Sequence, residues 1–332
     1  EAAAWGRYNG GLADASPGST GMKLPRPFIQ LPLLFDAGVL AAEIEALGEG
    51  VWRDHPQKFP GNSMLPLLAV DGEPANESFA GTMAPTPELL RCPYLMQVMA
   101  SFGATLGRTR LMRLAGQAEV TPHVDQGYYW AERVRVHVPI VTQPTVRFEC
   151  GEVAIHMAAG ECWIFDTWRN HNVINDASQS RIHLVADTVG GEAFWDLVAA
   201  GRGHDADRGA WKAIHVPPSS AAAALVCEHY NIPRAMTPWE ADYHMRRLLD
   251  DADPRDPNLA AAHAQVERFF QAWRGLWARY GDSGEGKAEY WATLERFIQQ
   301  VPEPVAMIRL ANGTRWIDGV LARVAKMAVR RS

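Results

Sequence analysis

The sequence predicts a mainly β core, an antiparallel sandwich or barrel, followed by an α-helical C-terminal region. Two observations carry this. Between Arg108 and Val189 apolar and polar residues alternate, β-branched residues are frequent, and Gly or Pro breaks recur with no intervening helical stretch. Beyond Gly190 the spacing of apolar residues becomes helical.

Taken in order, residues 1–23 are small, polar and Gly-rich. They have neither the basic start nor the apolar run of a signal peptide. They are expected to be a flexible segment, with an artificial origin open for part of it. Phe28 to Leu34 is apolar and reads as a strand. Asp36 then caps a short helix whose apolar residues, Val39, Leu40, Ile44 and Leu47, share one face. From Val51 to Asn76 the chain reads as loop, strand (Met64 to Val70) and loop. Thr86-Pro87-Glu88 predicts a capped helix start, with helical spacing to Phe102.

The strand candidates are Thr109–Ala115, Val134–Val141, Thr145–Cys150, Val153–Met157, Glu161–Asp166 and Arg181–Val189. Gly201–Pro218 reads as a connecting loop. Ser219–His229, Thr237–Leu249, Asn258–Tyr280, Gly286–Gln300 and Gly313–Val329 read as helices. The expected division is 24–190 for the β-rich unit and 191–332 for the helical region.

The composition, 47% hydrophobic and 21% charged, is that of an ordinary globular chain. A formal charge of -6 without any basic run excludes a polyanion-binding surface, so nucleic acid is not an expected partner. No window approaches the roughly 18 unbroken apolar residues of a membrane span. A cytoplasmic location is therefore the default expectation. The four cysteines form no C-x-x-C pair, and Cys150 and Cys162 fall in predicted strands, where a free thiol behaves as a small hydrophobe.

The chemistry is concentrated in Thr121-Pro122-His123-Val124-Asp125. On extended backbone His123 and Asp125 project the same way and can grip one ion. His171 lies far enough downstream to return on another strand as a third ligand. Two imidazoles and one carboxylate leave coordination positions open for a chelating cosubstrate and O2, as in non-haem Fe(II) oxygenases; a structural zinc site would be closed by four ligands. Arg181 follows at the start of a strand. A guanidinium there suits the far carboxylate of a dicarboxylate that chelates the metal through its other end.

From about Leu24 to Gly190 the chain resembles the aspartyl/asparaginyl β-hydroxylase family, including the bacterial free-proline hydroxylases grouped with it. The matching stretches are Pro87 to Tyr94, Arg110 to Leu114 leading into Pro122-His123-Val124-Asp125, Arg135-Val136-His137-Val138-Pro139, Gly160 to Asp166, His171 to Asn175, and Arg181 to Asp187. The resemblance implies a double-stranded β-helix, a cupin-like jelly roll, using Fe(II), 2-oxoglutarate and O2. It implies that His123 and His171 bind iron and that Arg181 binds the 2-oxoglutarate C5 carboxylate. Arg135 and His137 fall where the family contacts cosubstrate or substrate carboxylates. Asp125 is present here, whereas the vertebrate Asp/Asn enzymes lack it, which tilts the expected substrate toward a small amino acid. A peptide remains open.

Arg135 and His137 share one face of their strand, opposite Val134, Val136, Val138 and Ile140. That face is either solvated or, in a closed barrel, turned inward. Trp130, with Tyr128 and Tyr129, follows the first two ligands and could wall the substrate pocket; Arg113 is a further substrate-side candidate. The expected activity is hydroxylation of an amino acid or peptidyl side chain with release of succinate and CO2. Two rivals are a cupin-type metalloenzyme that is not an oxygenase and a metal-dependent binding protein without turnover. The helical region is open to three uses: capping the site, forming a homodimer, or recognising a larger substrate.

Overall fold

The computed structural model describes residues 23–207 and 209–330, so the expected flexible segment lies, but for Lys23, outside the described residues. In chain order the strands are β1 (Phe28–Phe35), β2 (Arg53–Asp54), β3 (Asn62–Val70), β4 (Met83–Pro85), β5 (Thr105–Leu114), β6 (Ala118–His123) and β7 (Val134–Val141). They continue with β8 (Val146–Cys150), β9 (Val153–Ile155), β10 (Glu161–Phe165), β11 (His171–Asn175), β12 (Arg181–Gly190), β13 (Arg202–Gly203) and β14 (Ile214–Val216). The helices are α1 (Ala37–Glu45), α2 (Pro93–Ala100), α3 (Tyr128–Ala131), α4 (Glu192–Ala199), α5 (Pro238–Leu249), α6 (Leu259–Tyr280), α7 (Lys287–Gln300), α8 (Glu303–Ala306) and α9 (Trp316–Val320).

Two sheets face one another. The larger runs β13-β1-β10-β7-β12-β5-β3-β2, with β14 beside β1 and β4 beside β3; the smaller runs β6-β11-β8-β9. All pairings are antiparallel except β1 with β14. This is the jelly-roll arrangement the sequence predicts. The outer face of the larger sheet carries Val134, Val136, Val138, Ile140 and Leu184 and buries them under α1, α2 and α4 through Leu40, Ile44, Leu95, Val98 and Phe194. Phe28, Phe148, Phe165, Trp163 and Val173, from strands of both sheets, form a second buried apolar cluster.

Asp36 accepts from the Gly38 and Val39 amides and starts α1 as its composition requires. The predicted helix from Thr86 is interrupted. Thr86 Oγ1 accepts from the Leu89 amide, but only a 3-10 turn, Leu89–Arg91, follows before α2 begins at Pro93. A proline biases its preceding residue, here Cys92, away from helical backbone, which splits the element in two.

The predicted helix Ser219–His229 does not form. That segment runs without regular structure along the β core: the Gln97 side chain binds Ser219 and Ala221, and the Leu106 and Met83 amides donate to Val226 and Glu228. Its alanine-rich spacing resembles a helix, but its backbone groups find their partners on the sheet. Helices α5, α6 and α7 form close to where the periodicity places them. Gly313–Val329 yields only α9 and a wider turn, Leu321–Ala325. These elements bury Met245, Leu248, Phe269, Trp273, Leu294 and Trp316 in a cluster of their own, which extends to Tyr128 and Trp168 beside the β core.

Candidate metal and cosubstrate site

Antiparallel pairing of β6 with β11 sets His123 directly opposite His171, with ring centroids 4.3 Å apart. Just beyond β6 the Asp125 amide donates to the Thr167 carbonyl at 3.1 Å, which turns its carboxylate toward the two rings. One ligand atom from each of His123, Asp125 and His171 can be chosen so that all lie within 4.8 Å of one another.

The imidazoles are already oriented for a metal. His123 Nδ1 is 2.8 Å from the Thr121 carbonyl and His171 Nδ1 is 2.9 Å from that of Arg169. A carbonyl only accepts, so Nδ1 carries the proton in each ring and Nε2 keeps its lone pair. His171 Nε2 is buried without a hydrogen-bond partner. Burial, partly opposed by Asp125, pushes the His171 pKa down to about 4, so the ring is neutral near pH 7. Asp125 is buried too, which alone would raise its pKa. Arg135, His171 and His123 outweigh that and hold it below the ordinary carboxylate value. An orphaned imidazole nitrogen and an ionised carboxylate in one cluster fit a divalent cation with open positions.

These residues line a cavity of about 320 Å3 between the sheets. The register of the larger sheet determines what else points into it. Along β12, Arg181, His183, Val185 and Asp187 face inward. On β5 their partners are Leu114 for Arg181, Met112 for His183 and Arg110 for Val185. On β7, His137 pairs with Val185 and Arg135 with Asp187. Of the two predicted alternatives for the Arg135–His137 face, the structure has the inward one.

Arg181 is almost wholly buried, and its Nε and Nη1 have no hydrogen-bond partner. Burial pushes its pKa down to about 10, so it stays cationic at neutral pH. His137 is likewise buried with neither ring nitrogen partnered, and burial beside Arg135 and Arg181 drives its pKa well down. Arg135 contacts two acids: Nε donates to Asp187 at 3.0 Å, and Nη1 lies 3.0 Å from Asp125 Oδ2, within ion-pair distance though not in hydrogen-bond alignment. It holds the Asp125 carboxylate in place while lining the cavity.

Trp130 lines the cavity, with Arg135 5.8 Å from its ring. Arg113 and Tyr128 do not line it. Arg113 lies on the other face of β5, donating to Glu49 and Ser63 and stacking on Trp52. Tyr128 turns away to donate to Glu240. Two cavity residues that sequence reasoning overlooked are Arg108 and Arg110. They alternate with Thr109 on the strand that leads into the H-x-D turn, and only the strand's parity distinguishes them from Arg113.

Residues 79–190 match the family model described as aspartyl/asparaginyl beta-hydroxylase. No curated protein matches the chain. Among solved structures it is similar to an oxidoreductase of the 2OG-Fe(II) oxygenase family from Burkholderia pseudomallei (13% identity, 45% of this chain and 77% of that chain, TM-score 0.33). It is also similar to a prolyl hydroxylase from Trichoplax adhaerens in complex with a hypoxia inducible factor peptide (12%, 52% and 87%, TM-score 0.36). A third is HygX from Streptomyces hygroscopicus with nickel and 2-oxoglutarate bound (12%, 49% and 82%, TM-score 0.33). These likenesses are distant and concern the fold alone.

Proposed function

We propose, from the match of residues 79–190 to the aspartyl/asparaginyl beta-hydroxylase family model, that the chain is an Fe(II)- and 2-oxoglutarate-dependent dioxygenase hydroxylating an unactivated C–H bond of an amino acid or peptidyl side chain. The observation that carries this reading is Arg181: a buried guanidinium with unpartnered nitrogens, in the cavity that also holds the His123, Asp125 and His171 cluster. An unpaired buried cation is costly, and a ligand carboxylate is the natural relief.

In this reading His123 and His171 present Nε2 and Asp125 one carboxylate oxygen to the metal, with Arg135 fixing the Asp125 rotamer. Bound Fe(II) supplies the redox chemistry by which O2 oxidises 2-oxoglutarate to succinate and CO2 and places one oxygen atom on the substrate. Arg181 holds the distal carboxylate of 2-oxoglutarate and so fixes the direction in which the cosubstrate lies. His137, neutral and unpartnered, offers hydrogen bonds to cosubstrate oxygens on the way. Phe148, Phe165 and Trp130 keep water from the reacting end.

Succinate formation by the Fe(II)-loaded protein tests the reading, with free amino acids and short peptides added in turn. Turnover that one class stimulates, and that His123→Ala or His171→Ala abolishes, is expected. Full activity in either variant would sink the assignment.

A further inference from the structure

The proposed chemistry leaves one buried acid without a task. Asp166 opens the connection 166–170, between the end of β10 at Phe165 and the start of β11 at His171. It is wholly buried, yet it does not line the cavity and so meets no ligand directly. A carboxylate shut away from water is costly unless its own hydrogen bonds compensate. Every polar group of Asp166 makes one. Oδ1 accepts from the Trp168 amide and Oδ2 from Arg169 Nε, each at 3.1 Å. The Asp166 carbonyl accepts from the Arg169 amide at 3.2 Å and from Cys150 Sγ at 3.4 Å, and its amide donates to the Pro27 carbonyl at 3.0 Å.

An Asp side chain bonded to the amide two residues on closes a tight turn, and here it fixes the backbone from Asp166 to Trp168. Arg169 is held twice, by its guanidinium on the carboxylate and its amide on the carbonyl of the same residue. Burial pushes the Asp166 pKa up to about 6 against the pull of Arg169, so the carboxylate is ionised near pH 7 and both oxygens accept. Two carbonyls of this turn reach the metal ligands. That of Thr167 accepts from the Asp125 amide at 3.1 Å, and that of Arg169 lies 2.9 Å from His171 Nδ1. His123 is oriented separately, by the Thr121 carbonyl on its own strand. Two of the three ligands therefore take their orientation from one turn, and the third does not.

We propose that Asp166 is a positioning residue of the metal centre: its carboxylate sets the 166–170 turn and, through the Thr167 and Arg169 carbonyls, aims Asp125 and His171 at one ion. The proposal rests on reading His123, Asp125 and His171 as metal ligands, and on nothing about the cosubstrate or substrate. Support of this kind governs affinity because a ligand that is already aimed loses less freedom when the metal arrives. The Arg169 side chain is 39% exposed, so removing the acid leaves a guanidinium that can turn to solvent and not a stranded buried charge. The fold is therefore expected to survive Asp166→Ala.

The test titrates Ni(II) into the whole wild-type, Asp166→Ala and Asp166→Asn proteins by calorimetry. Long-range 1H–15N NMR follows the imidazole nitrogens of each metal-free protein above neutral pH, with His123→Ala and His171→Ala assigning the two rings. Asp166→Ala is expected to weaken Ni(II) binding by about ten- to a hundredfold, the range for lost outer-shell support. Asp166→Asn keeps one acceptor oxygen whichever way its amide turns, and should fall between Asp166→Ala and wild type. His171 should lose its single Nδ1–H tautomer in Asp166→Ala while His123 keeps it, a split that general loosening of the fold would not produce. Wild-type Ni(II) affinity in Asp166→Ala, or both histidines changing together, would overturn the proposal. Should Asp166→Ala not fold, the same two readouts in Asp166→Asn decide it, and wild-type behaviour there would overturn it equally. Failure of the wild type to bind Ni(II) would instead remove the metal-ligand reading, and this proposal with it.

Discussion

The Arg135 guanidinium bridges two acids from different elements, Asp125 beyond β6 and Asp187 on β12, and all three side chains are largely shielded from water. Buried charges are tolerable only as a set. Arg135→Gln would leave Asp187 uncompensated and free the metal-side carboxylate to rotate, so a loss of about 3–5 kcal/mol is expected from urea denaturation. Adding Asp187→Asn should recover part of it, because the stranded charge is then gone. A double variant no more stable than Arg135→Gln alone would show that the two residues are not energetically coupled. At this scale much of the site is legible in the sequence. His123 and Asp125 announce themselves by spacing, and Arg181 by its place after His171. Arg108 and Arg110 do not, because both faces of β5 are covered and alternation alone cannot say which is the inner one. Arg113 reads the same way, yet faces the opposite side, toward Glu49.

Among the elements, the strands that carry the ligands are the least obvious. β6 and β11 are short and polar, Ala-Glu-Val-Thr-Pro-His and His-Asn-Val-Ile-Asn, and lack the apolar run that marks β7 or β12. Their position comes from pairing with each other, which is long-range information. The helical region shows a related dependence. Trp168 Nε1 donates to Asp251 at 2.8 Å, the Asn312 amide to the Trp168 carbonyl, and Arg323 packs 4.3 Å over the Trp168 ring while Nε reaches the Gln126 carbonyl. The loops around Asp125 and before His171 are thus held from outside the β core.

Arg323→Ala should loosen both loops and weaken Ni(II) binding by about tenfold, comparable to other losses of outer-shell support. Unchanged metal affinity would confine Arg323 to stabilising the fold. A second clasp, the buried Arg133 fork on Glu228 at 2.7 and 2.9 Å, ties the irregular 219–229 segment to α3. Glu228→Gln should cost about 3 kcal/mol or more, read by thermal or urea unfolding. Nothing in the alanine-rich stretch before Glu228 announces that clasp. Helical spacing misleads there because the backbone partners lie on β4 and β5.

On the scale of the whole molecule, four buried histidines make stability depend on pH. His171 is held down to about 4 and His244 to about 3, while His137 and His183 lie well below 6.5, each first through burial. Their unfolded-state pKa is the ordinary 6.5, so between there and the folded values the unfolded chain binds more protons. Stability is then fully present above about pH 6.5 and falls as the pH drops toward 4, by as much as about 1.4 kcal/mol per pH unit for each proton taken up. Unfolding of the metal-free protein from pH 7.5 to 4.5 should show this as a falling midpoint. A flat profile would mean that these rings take up protons in the fold as readily as in the unfolded chain. Histidine content can be read from the sequence, but which rings are buried without partners cannot, since that follows from sheet register.

The central claim is that one cavity binds a divalent metal through His123, Asp125 and His171 and a dicarboxylate through Arg181. Calorimetric titration of 2-oxoglutarate into the Ni(II)-loaded wild type and Arg181→Gln proteins tests it most directly. The expected result is metal-dependent binding in the wild type, weakened by about tenfold or more in Arg181→Gln while Ni(II) affinity is retained. Equal 2-oxoglutarate affinity in the two proteins, or binding that does not need the metal, would contradict it.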